Sequence, residues 1–211
     1  MGMNVIIFGA SGGTGSALVQ RAHGSGHRVT AFVRKRTEFR VETMQILGDA
    51  LDAEAVIDAI ANQDAVLSAL GARDLRTDDF LRMAIQNIAG GMHRHSVHRV
   101  VVLGAAGALG DPLKNEPPFR KWMFSLLKHT LLKNPFADSG AQQKILQNGD
   151  LDYTVVLPPR LTYGPPTGKY RLSLDGLPAK PKKISRSDVA EFMMNCLDQD
   201  AYVRQCPYIA N

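Results

Sequence analysis

The residues with the plainest chemical meaning lie near the start of the chain, in "NVIIFGASGGTGSALVQRA". Gly9, Gly12 and Gly15 fall three apart, Gly13 lies among them, and Ser11 and Thr14 carry hydroxyls. The glycines follow a short apolar run and open an amphipathic segment, the strand–turn–helix context that makes such spacing specific. Gly9 would permit a sharp exit from the strand, Gly12 a close approach of backbone to a diphosphate, and Gly15 tight packing of helix on sheet. The first helical turn would offer free N–H groups and a partial positive charge. The ligand expected there is a dinucleotide held by its phosphates, with Ser11 and Thr14 adding hydroxyl donors.

The second apolar run, "RVTAFVRKRTEF", bears on which dinucleotide. Sheets that bind NAD usually end this strand in an acidic residue that takes hydrogen bonds from the adenosine ribose. Here it ends in Arg34-Lys35-Arg36. Guanidinium groups suit a ribose 2′-phosphate, so NADP(H) is the expected cofactor and Arg34 its main contact. A solvated basic loop is the plainer alternative.

Other groups carry less. His93, His95 and His98 in "MHRHSVHR" cannot share a metal on a helix, because positions 93 and 95 point about 200° apart. They read as a solvated helix end. Asp150 and Asp152 follow Asn-Gly and read as turn residues, and Asp188 as a helix-start charge. Cys196 and Cys206 fit neither a disulfide framework nor a four-ligand zinc site; Cys196, in "VAEFMMNCL", reads as a small core residue. Trp122, with Phe119, or Tyr163 could stack on a flat acceptor, although Trp122 equally suits ordinary packing. Arg73, Arg160 and Lys169 could meet an acidic acceptor or be surface charge. The residues four after Tyr153, Tyr163, Tyr170 and Tyr202 are Leu157, Thr167, Leu174 and Cys206, so the Tyr-x-x-x-Lys pair of alcohol–ketone chemistry is missing.

These residues need a scaffold. Strands are expected at 4–9, 28–33, 44–48, 65–70, 99–104 and 153–158, rich in β-branched residues and near-continuous in hydrophobicity, as when both faces are buried. Amphipathic helices are expected at about 14–25, 52–61, 77–95, 138–148 and 186–198, with Asp52 and either Ser185 or Ser187 as start signals. Strand–helix alternation throughout predicts a doubly wound, Rossmann-type parallel α/β sheet, one domain over 1–211 with a small C-terminal substrate lobe. Two stretches depart from the alternation, 110–135 and 158–183, both rich in proline at their ends. Excursions after strand C-termini tend to build substrate sites. The helix expected at 119–132 is equally a substrate lid or a cover for the sheet edge or a second subunit.

Composition narrows the class. The chain has 211 residues, 45% hydrophobic and 21% charged, with net charge +5 from scattered lysines and arginines. Scattered cations favour a pocket for small anions over a nucleic-acid surface. No apolar run reaches the roughly 20 residues that span a bilayer, and no charged leader precedes the first strand. We expect a cytoplasmic protein, a monomer or small homo-oligomer, that engages neither nucleic acid nor membrane.

The segments "NVIIFGASGGTG", "AFVRK", "LGDALD", "AVLSALGAR", "LPP" before a Gly/Pro-rich loop, and "TGKYRLSLDG…ISRSDVAEFMMNCL" resemble the atypical short-chain dehydrogenases with an NAD(P)-binding domain. The similarity spans nearly the whole chain and is greatest to the branch of biliverdin-IXβ reductases, also known as flavin reductases. It implies an NADPH-dependent reductase of flavins and linear tetrapyrroles. It would place Gly9, Ser11, Gly12, Gly13 and Thr14 around the diphosphate, Arg34 at the 2′-phosphate, and Asp49 and Ala50 beside the adenine. Leu70, Gly71 and Arg73 would line the phosphate–ribose path, Gly104 and Ala105 the end of the fifth strand, and Pro158, Pro159 and Arg160 the nicotinamide. Tyr163, Trp122 and Arg160 are then candidates to touch the acceptor. Two positions depart from the branch: Ala105 stands where it has a serine implicated in hydride transfer, and Arg160 where it has a histidine. No catalytic acid is therefore assigned. Flavin reduction needs mainly a flat ring stacked on the nicotinamide, with protons from water. The same departures also suit a non-catalytic NADP(H) sensor, of the kind related to the fungal nitrogen regulators of the NmrA-like type.

Overall fold

Val5 and Ile7 point to one face of the first strand and Ile6 and Phe8 to the other, and all four are fully buried. A strand apolar on both faces must be sandwiched between layers of helix. The computed structural model describes residues 2–72, 79–114, 116–119, 121–122, 126, 133–181 and 183–211. Its main sheet contains β1 (Asn4–Phe8), β2 (Arg28–Val33), β3 (Met44–Leu47), β4 (Ala65–Ser68), β5 (Arg99–Leu103) and β6 (Asp152–Val156). Their order is β3-β2-β1-β4-β5-β6, with every pair parallel. The fold is the expected Rossmann-like α/β sheet, and each strand ends within two residues of its expected bound.

Helices α1 (Gly13–Gly24), α2 (Ala53–Ile60), α3 (Phe80–Arg94), α4 (Lys133–Asn148) and α5 (Arg186–Asp198) flank the sheet. Leu18 and Val19 of α1 pack with Val189 and Met193 of α5 on one face. Val56 and Ile60 of α2, Ile85 and Ile88 of α3, and Leu146 of α4 cover the other. Asp52 caps α2, accepting the Ala55 N–H at 3.2 Å. Of the two serines proposed for α5, Ser185 is the cap, accepting the Asp188 N–H at 2.9 Å. Helix α4 is described from Lys133, five residues before the expected 138.

The C-terminal stretch adds a strand that the sequence pattern did not reveal. Val155 donates to the Gln205 carbonyl at 3.1 Å, Leu157 to that of Pro207 at 2.9 Å, and Ile209 to that of Leu157 at 3.3 Å. These bridges run parallel to β6 along its outer edge. The excursion after β6 is also more regular than expected. It contains β7 (Leu161–Thr162), paired with β9 (Ile184–Ser185), and β8 (Arg171–Ser173), paired antiparallel with β10 (Tyr208–Ala210).

The two excursions meet. The Leu177 N–H donates to the Pro112 carbonyl at 2.8 Å, the Lys180 N–H reaches Glu116 Oε1 at 2.5 Å, and Lys114 pairs with Asp175. Most of the helix expected over 119–132 lies outside the described residues. Within it, Phe119, Lys121, Trp122 and Leu126 are helical.

Candidate functional site

The site forms where β1 and β4 part, at the C-terminal edge of the sheet. There the strand order reverses direction and a crevice opens between the connections. Gly9, the first residue after β1, has φ +75°, and a Cβ on it would lie 2.8 Å from the Ala69 carbonyl at the end of β4. Only glycine fits that backbone and that approach. The Gly12 N–H closes the turn on the Gly9 carbonyl at 3.0 Å. A side chain on Gly15 would run into the Gly9 carbonyl, so close packing of α1 depends on it, as expected.

Helix α1 starts from Gly12 with no side chain capping it. Its first-turn N–H groups therefore lack intrahelical partners and suit an anion. Ser11 and Gly12 are exposed at the turn, whereas Thr14 is 4% exposed, leaving Ser11 as the accessible hydroxyl.

A cleft runs from this turn towards β2 and β3. Arg34, the first residue after β2, lines it together with Gly9, Ser11 and Gly12. The basic turn is anchored by Gln45 of β3, whose amide accepts the Thr37 N–H at 3.0 Å and donates to the Thr37 carbonyl at 2.9 Å. Leu70 and Gly71 line the β4 side. Asp49 directs its carboxylate to the Leu51 N–H at 3.0 Å, while Gly48 and Ala50 on either side of it line the cleft. Ala50 is held from beneath by Asn87, which donates to its carbonyl at 2.9 Å.

Five lining residues escaped the sequence reading: Phe32, Val33, Gly48, Ala69 and Phe80. Three of them carried a signal: Val33 ends β2, Gly48 follows β3 and Ala69 follows β4, while Phe32 lies one residue inside the end of β2. Phe80 carried none; it opens α3 and forms apolar floor with Ala50 and Leu70.

At the other half of the crevice, the segments after β5 and β6 run side by side. Gly104 donates to the Val156 carbonyl at 2.9 Å and Ala106 to that of Pro158 at 3.2 Å, which sets Ala105 beside Pro158. A Cβ on Gly104 would meet Val155 Cγ1 at 2.7 Å, so glycine is required there for packing. Pro158 is buried, Pro159 half-buried and Arg160 exposed, and the Arg160 carbonyl accepts the Ile184 N–H at 3.1 Å. Arg73 lies outside the described residues.

The two aromatic candidates are in different places. Tyr163, 82% exposed, lies against Gly13 with the Arg186 guanidinium 4.3 Å from its ring centroid. Trp122 stacks on Phe119, centroids 6.3 Å apart and planes 29° apart. Among the described residues no ring contact joins the two groups.

The remaining polar candidates are structural. Asp188 is inaccessible and takes four hydrogen bonds: from Thr167 N at 2.6 Å, Gly168 N at 3.0 Å, Thr167 Oγ1 at 3.0 Å and Ser185 Oγ at 2.8 Å. Burial pushes its pKa up, but these donors outweigh that and hold it below the usual carboxylate value. It is a clamp on the 163–168 loop as well as a helix-start charge. His93 pairs with Asp150 at 2.6 Å. Cys196 lies in the core, its thiol pushed up to about 12 by burial, against a smaller opposing pull from Arg99. No helix among the described residues is long and apolar enough to cross a membrane.

A parallel doubly wound sheet with a glycine turn at its switch point defines a dinucleotide-binding protein. The sequence matches the NAD(P)H-binding family over residues 9–200, and the chain belongs to that family. A 3-diazoavenalumate denitrifying reductase of Streptomyces sp is 28% identical over 191 residues, covering 80% of this chain and 59% of that protein. Two solved structures share the fold. SP1627 of Streptococcus pneumoniae TIGR4, provisionally named an NADH-flavin reductase, is 23% identical with TM-score 0.80, over 100% of both chains. A short-chain dehydrogenase/reductase of Veillonella parvula DSM 2008, in complex with NADP, is 20% identical with TM-score 0.77, covering 100% of this chain and 95% of that one.

Proposed function

We propose that this protein is an NADPH-dependent reductase that delivers hydride directly to a flat, conjugated acceptor, a flavin in the first instance. One observation carries the reading: the uncapped start of α1 and the Arg34 guanidinium line a single cleft. An anion site and a cation in one cleft suit the diphosphate and the 2′-phosphate of NADPH, and on this reading the adenine lies over Ala50 and Phe80. The NADP complex of the Veillonella structure and the names of the Streptomyces and Streptococcus proteins support the same class.

When bound, the reduced nicotinamide supplies the hydride. The chain's own part is positioning. Gly104, Ala105, Pro158 and Pro159 make a rigid floor of small and ring-closed residues at the ends of β5 and β6. Ala105 offers no hydroxyl and Arg160 no imidazole, so the protein holds the acceptor's face to the reacting carbon and water supplies protons. Arg160 is available to hold an acidic group of the acceptor. Linear tetrapyrroles are the second acceptor class on this reading.

Stopped-flow mixing of protein, NADPH and FMN tests this. We expect acceptor-dependent loss of NADPH absorbance and slower turnover with NADH. The departures at Ala105 and Arg160 give a second reading some weight, a nucleotide sensor. Tight NADPH binding without oxidation by any flavin, quinone or linear tetrapyrrole would favour it.

A further inference from the structure

Arg186 is a cation in an expensive position. It occupies the first turn of α5, where the helix dipole already places positive charge, and it reaches the first turn of α1 as well. A methyl group built on Gly13 would come within 2.6 Å of Arg186 Cδ and 2.9 Å of its Nε. No carboxylate pairs with it among the described residues. Nearby acids are engaged elsewhere: Asp188 by the 167–168 backbone and Glu191 by Arg21 at 3.0 Å. Among the described residues its partner is the Tyr163 ring, with the guanidinium 4.3 Å from the centroid.

That partner is itself fixed. Asp188 grips Thr167 and Gly168, and Ser187 Oγ donates to the Gly164 carbonyl at 2.9 Å, so both sides of the short loop after Tyr163 are tied to α5. The helix that carries Arg186 thus also secures the ring on which Arg186 rests. The start of α1 and a guanidinium with no carboxylate partner among the described residues meet at Gly13, where the absence of a side chain leaves room. Such charge is unfavourable in isolation and becomes favourable when a dianion arrives.

We infer that Arg186 is a cofactor-binding residue, a cationic clamp on the diphosphate aligned by Tyr163 and opposite in the chain to the glycine turn. This rests on the reading of the cleft as an NADPH site. Arg34 would then recognise the outer phosphate and Arg186 the bridging ones. Tyr163, expected at the acceptor, acts on the cofactor side.

Calorimetry with NADPH and with 2′-AMP separates the two arginines, because 2′-AMP retains the adenine and 2′-phosphate but has no diphosphate. Arg186→Met should weaken NADPH between about tenfold and a hundredfold and leave 2′-AMP within about twofold. Arg186→Lys should recover part of the loss, and Tyr163→Ala should reproduce part of it. Arg34→Ala should weaken both ligands. Unchanged NADPH affinity in Arg186→Met, or equal losses for both ligands, overturns the inference and leaves the cofactor reading standing. Absence of binding to the wild-type protein overturns both.

Discussion

Asp138, in α4, accepts the backbone N–H of Leu81, in α3, at 2.7 Å, and its other oxygen accepts the Arg82 N–H at 2.8 Å. The residue before α3, Asp79, makes no cap with its side chain. A carboxylate from another helix therefore does the capping, fully buried, and anchors the turn that carries Phe80. Asp138→Ala should cost about 1–3 kcal/mol in urea denaturation, since two buried donors lose their partner. The same variant should weaken 2′-AMP in calorimetry, because the floor of the cleft proposed for adenosine moves with α3.

Arg34, the first of the three cations after β2, lines the cleft at the point where an acidic residue would favour NAD. Arg34→Ala should reduce the ratio of NADH to NADPH dissociation constants by about tenfold or more, with stability unchanged. Fluorescence titration with both nucleotides gives the ratio. An unaltered ratio would assign the phosphate preference elsewhere.

Gly9 and Gly13 should respond differently to alanine. At Gly9 a Cβ meets fixed backbone at 2.8 Å in a left-handed conformation, so Gly9→Ala should cost about 2 kcal/mol or more of stability. At Gly13 the obstacle is the Arg186 and Tyr163 side chains, which can swing away. Gly13→Ala should keep the urea midpoint close to wild type while lowering NADPH affinity.

Asp188 gives the fold a pH signature. Its carboxyl is held below the ordinary value in the folded state, so its contribution is present above that value and is lost as pH falls through the lowered one. Asp188→Asn should therefore be less stable than wild type by about 1–3 kcal/mol at pH 7. The gap should narrow below about pH 4, as the wild-type carboxyl protonates. Paired urea titrations at the two pH values measure it.

Cys196 should ignore thiol reagents. With its thiol pushed up to about 12 inside the core, no thiolate is available at pH 8. Cys206, half-buried and also shifted up by burial, should react slowly. Ellman titration should find Cys196 only after unfolding.

The six main strands and the glycine turn were legible because their physics is local. Runs such as Val5–Phe8 are apolar on both faces, and Gly9 answers to its own backbone angle. The cleft's second tier was not legible for the opposite reason. Asp138 works on residues 57 positions away, and nothing around it marks a cap for α3. Gln45 clamps Thr37 across a turn, which no motif records. The strand along β6 was hidden by its shortness, by Pro207, and by a preceding turn in which Tyr202 and Arg204 take left-handed φ of 58° and 57°. Tyr163 was recognised as exposed and aromatic, but its location depended on Arg186, a partner 23 positions on.

The strand laid along β6 also makes the molecule lopsided. One border of the main sheet is sealed by the chain's own last residues, whereas β3 closes the other with Met44 66% and Leu47 53% exposed. Parallel sheets tolerate such a bare rim when it is brief, and β3 has four residues. Where copies of this chain crowd together, strand-to-strand accretion on the main sheet would begin at the rim next to the basic turn.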